Sequence, residues 1–174
     1  AGRAKGPAVV VMGFRPADPA AYGRLVMGPE GLERIVEFKD ANPEQRAIGL
    51  CNGGVMVLDG AIAFELLAGI KNDNAQGEYY LTDIVAAAAA GGLSCTVVEA
   101  DPEEVLGIDS RAGLAVAEAI VQRKTRAAVM AGGATLLDPE TTWFSHDTRI
   151  GRDVVIEPNV FFGPGVSVGD RVVI

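Results

Sequence analysis

The side chains able to do chemistry in this sequence are few, and most stand where an apolar or helix-favouring run begins or ends. Glu37 closes an extended run, and an ionised carboxylate there is an acceptor-only group; read from its neighbours alone it is a solvated strand residue. Asn52 opens another extended run with an amide that can both donate and accept. Gly23 falls in a turn, Tyr80 ends a polar loop, and Thr82 or Asp83 is placed to cap a following helix. Asp109 sits just before a long helix-favouring stretch and suits its N-cap. His146 is the sole histidine and invites a general-base reading, but its setting reads as a surface loop. Cys51 and Cys95 have no metal-ligand spacing and suggest neither a zinc site nor a disulfide framework.

The elements that must position these residues follow from periodicity. Residues 9–14 read as a fully buried strand, and residues 24–27 and 32–37 as two strands around the turn Gly28-Pro-Glu-Gly31, a hairpin. Pro43 starts a short helix, residues 52–58 resume an extended apolar run, and residues 61–70 have amphipathic helical spacing. A polar loop over 72–80 precedes an alanine-rich helix ending at Gly91-Gly92, and residues 96–99 form the next strand. Helices alternating with apolar strands indicate a layered α/β domain, and the antiparallel hairpin makes its sheet mixed. Residues 112–131 read as one helix with Leu114, Ala117 and Val121 on a stripe. Arg123, Lys124 and Arg126 stand near its end as a solvated cationic terminus.

After Asp138-Pro139 the pattern changes. Ile150, Ile156, Phe162, Val168 and Ile174 recur every six residues with Phe144 in phase, and Val154, Val160, Val166 and Val172 repeat four positions after each. Two registers repeating together make coincidence a poor explanation, and a triangular parallel β-helix needs this spacing, because each six-residue side turns two residues onto one core. About three stacked repeats are needed for such a solenoid to stand alone, so the sequence is expected to stop inside that domain. The domains are accordingly drawn as 1–111, an α/β domain lacking its first strands; 112–132, a connecting helix; and 133–174, the start of the solenoid.

Fifteen Lys and Arg against 23 Asp and Glu give a formal charge of -8, which disfavours nucleic acid and acidic membrane surfaces as partners. The apolar run near the N-terminus superficially resembles a signal peptide, but it is short and ended by Arg15, so it reads as a strand. No stretch approaches the roughly 20 apolar residues of a membrane span, and a reducing cytoplasm is the expected compartment.

Together, Ala21-Tyr-Gly-Arg-Leu25, Ile35-Val-Glu-Phe-Lys-Asp-Ala41, Cys51-Asn-Gly-Gly54, the run from Asn72 to Asp83 containing Asn-Ala-Gln-Gly-Glu-Tyr-Tyr, and the terminal hexads resemble one bacterial family over essentially all 174 residues. It is the bifunctional N-acetylglucosamine-1-phosphate uridyltransferase and glucosamine-1-phosphate N-acetyltransferase. The resemblance implies a Rossmann-like domain that makes UDP-N-acetylglucosamine from UTP and N-acetylglucosamine-1-phosphate with Mg2+. It also implies a left-handed β-helix that acetylates glucosamine-1-phosphate from acetyl-CoA and forms a homotrimer.

By that resemblance Gly23 brings its backbone to the sugar nucleotide, Glu37 accepts from sugar hydroxyls, Asn52 binds the sugar, and Tyr80 and Thr82 make secondary sugar contacts. Asp109 stands where the family has Asn as a magnesium ligand; an aspartate also offers hard oxygen there, with an added negative charge. The nucleotide loop would precede Ala1 and the acetyl-transfer site would follow Ile174, so the chain alone is expected to be inactive in both reactions. The rival readings are a monofunctional sugar nucleotidyltransferase with a structural solenoid, and a noncatalytic scaffold that at most binds a sugar nucleotide.

Overall fold

A computed structural model describes residues 6–19 and 21–174. The signal-peptide question therefore falls in part on residues 1–5, outside the described residues. The chain divides into two compact units, Ala1–Leu106 and Gly107–Ile174.

The first unit is built on a five-stranded mixed sheet. Its strands are β1 (Val9–Phe14), β2 (Arg24–Gly28), β3 (Gly31–Val36), β4 (Cys51–Leu58) and β5 (Cys95–Glu99), in the order β3-β2-β4-β1-β5. The β-branched run of β1 suits a central strand, and it pairs antiparallel with β4 and parallel with β5. The β2–β3 hairpin turns at Gly31, whose φ of +129° and whose distance of 2.5 Å from an ideal Cβ to the Cys95 carbonyl oxygen both require glycine. Among the described residues three α-helices accompany the sheet: α1 (Pro43–Arg46), α2 (Ala63–Ala68) and α3 (Asp83–Ala90). One apolar face of α3, Ile84, Val85 and Ala88, is buried with Val9, Val11, Leu25, Ile35 and Cys95 in a single core. Small alanines between those positions let the helix lie close to the sheet.

The second unit opens with α4 (Arg111–Ala131), followed by two-residue strands: β6 (Thr135–Leu136), β7 (Trp143–Phe144), β8 (Arg149–Ile150), β9 (Val155–Ile156), β10 (Phe161–Phe162) and β11 (Ser167–Val168). Residue 161 pairs parallel with 143 and residue 167 with 149, so the chain returns to the same strand position every 18 residues. Val155 is bridged to Val173 at the same interval. Between β6 and β9 the interval is 20, the extra length being taken up near a 3-10 turn at Pro139–Thr141.

Both hexad registers supply the core. Phe144, Val154, Ile156 and Phe162 are buried, with Val160, Val166, Ile150 and Val168 packed against them. The Phe144 and Phe162 rings stack at 5.0 Å. The bends are made at Asp153, Asn159, Gly165 and Arg171, all with positive φ and spaced by six. Side chains from one turn of the chain reach the next, as where the Gly165 N–H donates to the Asp147 carboxylate and the Arg152 N–H to Asp170, each 18 residues away.

The apolar stripe expected on α4 is not what this helix buries. Leu114 and Val121 are 56% and 52% exposed, whereas Gln122 and Arg126 are buried. Arg126 is therefore not part of a solvated cationic end: its guanidinium donates to the Thr142 carbonyl and pairs with Glu140. Gln122 bonds twice to the backbone of Phe144, its Nε2 donating to the carbonyl at 2.7 Å and its Oε1 accepting from the N–H at 3.0 Å. The helix buries the polar groups that the neighbouring strand edge can use.

Candidate functional site

The register of three strands gathers one end of the sheet in the first unit. Arg24, the first residue of β2, is paired with Val36, the last of β3, and with Cys51, the first of β4. Gly23, Glu37 and Asn52, one step along from those partners, are therefore neighbours although they come from three separate stretches. The Asn52 N–H donates to the Gly23 carbonyl at 2.8 Å, and the Asn52 side-chain oxygen accepts from the Gly54 N–H at 3.0 Å. A Cβ built on Gly23 would lie 3.2 Å from Ile35 and 3.3 and 3.4 Å from the two Glu37 carboxylate oxygens. Glycine leaves that space for the carboxylate.

Thr82, 45 residues away from Glu37 in sequence, completes the group by donating its hydroxyl to Glu37 Oε1 at 3.0 Å. It occupies the N-cap position of α3 but makes no side-chain cap bond. The capping role expected of it is thus not what its hydroxyl does. Tyr80, two residues before, shares with Glu37 the lining of two small clefts. One, of about 150 Å³, is completed by Ala21, Phe38, Lys39 and Gln76. The other, of about 220 Å³, lies beside Asp40, Asp73 and Asp83. Burial, and then the charge of Asp40, push the Asp83 carboxyl above its ordinary value.

Two further groups hold this end of the sheet, and composition alone gave no signal for them, although both lie inside motifs quoted above. Arg24 is 2% exposed; its guanidinium donates to the Pro19, Tyr22 and Arg46 carbonyls and lies over the Phe38 ring, tying the loop before Gly23 to the segment after Glu37. Gln76 accepts from the Lys39 ammonium and donates to the Tyr80 hydroxyl at 2.8 Å, while the Ala75 N–H donates to Asp40 at 2.8 Å. The 72–80 loop is thereby pinned beside the Glu37 carboxylate. Cys51 is fully buried; burial raises its thiol pKa, with Arg24 and Arg15 opposing, so it is no nucleophile at neutral pH.

Asp109 belongs to the second unit, where it is exposed. The residue that caps α4 is Ser110, whose hydroxyl oxygen accepts from the Gly113 N–H at 3.0 Å, so the capping expected of Asp109 is done by its neighbour. Among the described residues no group of three or more His, Cys, Asp or Glu side chains is arranged to hold a metal ion. A single exposed carboxylate can contribute one oxygen to a magnesium–phosphate complex and is not a metal site in itself. His146 is exposed on the second unit, beside a groove lined by Val121, Trp143 and Phe161. Among the described residues no helix is long and apolar enough to cross a membrane.

Chemically, the arrangement in the first unit is an acceptor carboxylate lining small clefts, with an amide and a glycine beside it at the same end of the sheet, suited to a neutral, hydroxyl-rich group. It is joined in sequence to a hexapeptide segment: residues 147–174 match the family described as bacterial transferase hexapeptide (six repeats). Mixed α/β structure followed by a transferase-type hexapeptide repeat defines the class. The chain is 60% identical over 166 residues to the bifunctional protein GlmU of Paramagnetospirillum magneticum, covering 95% of this chain and 37% of that protein. It is 64% identical over 151 residues to that of Rhodospirillum rubrum (87% and 34%), and 57% identical over 169 residues to that of Xanthobacter autotrophicus (97% and 38%). The chain is thus similar to GlmU proteins along nearly its whole length, and it spans 34–38% of the length of these relatives.

Proposed function

We propose that the first unit supplies the sugar-binding side of a uridyltransferase that joins N-acetylglucosamine-1-phosphate to UTP, and that the second begins the left-handed β-helix of an N-acetyltransferase acting on glucosamine-1-phosphate with acetyl-CoA. The observation that carries the reading is the convergence of Gly23, Glu37, Asn52 and Thr82 from four separated segments onto one end of the sheet. High identity to GlmU proteins along nearly the whole chain supports it. In this reading residues 1–111 belong to a Rossmann-like nucleotidyltransferase domain, 112–132 form the connecting helix, and 133–174 begin a solenoid that assembles as a homotrimer. The enzyme works in the cytoplasm on precursors of the cell wall.

In uridyl transfer a phosphate oxygen of the sugar-1-phosphate attacks the α-phosphorus of UTP; one P–O bond forms, the bond to pyrophosphate breaks, and pyrophosphate leaves with its electron pair. A phosphate nucleophile is already ionised near neutral pH, so no general base is asked of this chain. Its residues act by alignment, which can supply a large part of such a rate enhancement. Glu37 accepts from a sugar hydroxyl, Asn52 donates and accepts beside it, and the missing Cβ of Gly23 leaves the Glu37 carboxylate room to sit against the backbone. Magnesium, when bound, neutralises phosphate charge, and Asp109 is the residue of this chain offered to it.

The test is calorimetric titration, with UDP-N-acetylglucosamine, of a protein carrying this chain at the length of its relatives, beside the same protein with Glu37→Ala. Saturable binding that weakens at least tenfold in the variant is expected. Absence of binding, or equal binding by both proteins, would overturn the reading.

A further inference from the structure

Thr82 begins α3 with a helical backbone, φ -61° and ψ -24°, and with no bond from its side chain to the helix N–H groups. A helix start normally needs such a cap because its first N–H groups lack partners. Here the Asp83 and Ile84 N–H groups bond at 3.1 Å to the carbonyls of Tyr80 and Leu81, so the turn before the helix satisfies them. The threonine hydroxyl is released from capping and is spent on Glu37 Oε1.

Both ends of that bond are restrained in different ways. Threonine is branched at Cβ, which restricts χ1, and Thr82 is buried, so its hydroxyl has few alternative positions. Glu37 lies just beyond the end of β3, has several free torsions, and is only half-buried. Among the described residues the Thr82 hydroxyl is the one hydrogen-bond donor to its side chain. Bonding one oxygen leaves lone pairs on the carboxylate for a ligand. We propose that Thr82 is a positioning residue: through its bond to Oε1 it orients the Glu37 carboxylate, leaving Oε2 to accept from a sugar hydroxyl, rather than touching the sugar itself.

The proposal rests on the sugar-site reading above, and a double-mutant cycle separates the two. In a protein at the length of its relatives, UDP-N-acetylglucosamine binding is measured for the unsubstituted form, Thr82→Val, Thr82→Ser, Glu37→Ala and the Thr82→Val/Glu37→Ala pair, with the unfolding midpoint of each. Thr82→Val is expected to bind about five- to tenfold more weakly, the size of one ordinary net hydrogen bond, since the lost bond acts on the sugar only through Glu37. Thr82→Ser recovers most of the affinity, and in the Glu37→Ala background Thr82→Val costs no further binding. If the valine variant fails to fold, Thr82→Ala takes its place in the cycle. Unchanged binding by the hydroxyl-free variant, or the same loss with and without Glu37, overturns the positioning role while leaving the sugar site standing. No binding by the unsubstituted protein overturns both.

Discussion

Replacing Gln122 with leucine should cost the second unit about 2–4 kcal/mol, a magnitude built from two buried backbone groups at about 1–3 kcal/mol each, less what the leucine recovers by burial. In a parallel pair the N–H and C=O of one residue point to the same side. Those of Phe144 point away from β10, which is instead served by the neighbours: the Trp143 N–H donates to the Val160 carbonyl and the Ser145 N–H to that of Phe162. The outer edge of β7 would be open but for the Gln122 amide, which donates and accepts there as another strand would. Gln122 and Phe144 are each 4% exposed, so water does not readily replace what a leucine removes.

The assay is urea unfolding followed by the fluorescence of Trp143, the sole tryptophan, which lines the same groove as Gln122. Hydrogen exchange at the Phe144 amide is the second reading, since that N–H loses its acceptor in the variant. Gln122→Glu provides the internal check. It retains an acceptor for the N–H but loses the donor to the carbonyl and sets a second carboxylate beside Glu118, whose Oε1 now lies 2.9 Å from Nε2. It should be at least as damaging as leucine at neutral pH and should recover on acidification. A leucine variant within about 0.5 kcal/mol of the parent, with Phe144 exchange unchanged, would refute the view that this amide closes the strand edge.

Two further outcomes are expected. Ile156→Ala, at a fully buried position in the core of the second unit, should destabilise by about 2–5 kcal/mol, while Val155→Ala next to it, half-buried, should cost under about half of that; equal losses would contradict the inward–outward alternation. For Asp83 the folded carboxyl is raised above its ordinary 3.8, so between that value and the folded one the native state binds more protons than the unfolded state. The contribution of Asp83 to stability therefore falls as pH rises through that window. Asp83→Asn should gain on the parent in a pH series of urea midpoints between acid and neutral conditions, and a difference that does not vary with pH would contradict the assignment.

Much of the first unit was legible because its signals are local. A β-branched run gives β1, and Gly28-Pro-Glu-Gly31 between alternating residues gives the hairpin, since only glycine tolerates the backbone that Gly31 adopts against Cys95. The hexads carry the second unit for the same reason: a side that repeats every six residues needs an apolar residue at each inward position. The bends were not read, because Asp153, Asn159 and Arg171 carry side chains, and a left-handed conformation at such residues leaves a weaker mark than glycine does. Nor was the buried face of α4. A hydrophobic stripe predicts burial against apolar surface, but β7 offers peptide groups along its edge, and Gln122 meets them better than Leu114 or Val121 can.

The candidate site shows the limit more sharply. Taken singly, Glu37 is a polar residue after a strand, Asn52 one before a strand, and Thr82 a helix cap; nothing in their spacing of 15 and 30 residues carries a chemical pattern. What unites them is strand register: Arg24 opposite both Val36 and Cys51 forces Gly23, Glu37 and Asn52 together whatever lies between. Thr82 shows why even a correct local position can mislead about role. The cap preference placed it at the first turn of α3, but preference measures what a hydroxyl does when the helix N–H groups have no other partner. Once the carbonyls of Tyr80 and Leu81 satisfy them, the hydroxyl is free for a tertiary contact that no local rule anticipates. Capping residues whose helix starts are already satisfied are therefore a general place to look for positioning groups, and this one points at the carboxylate on which the sugar reading depends.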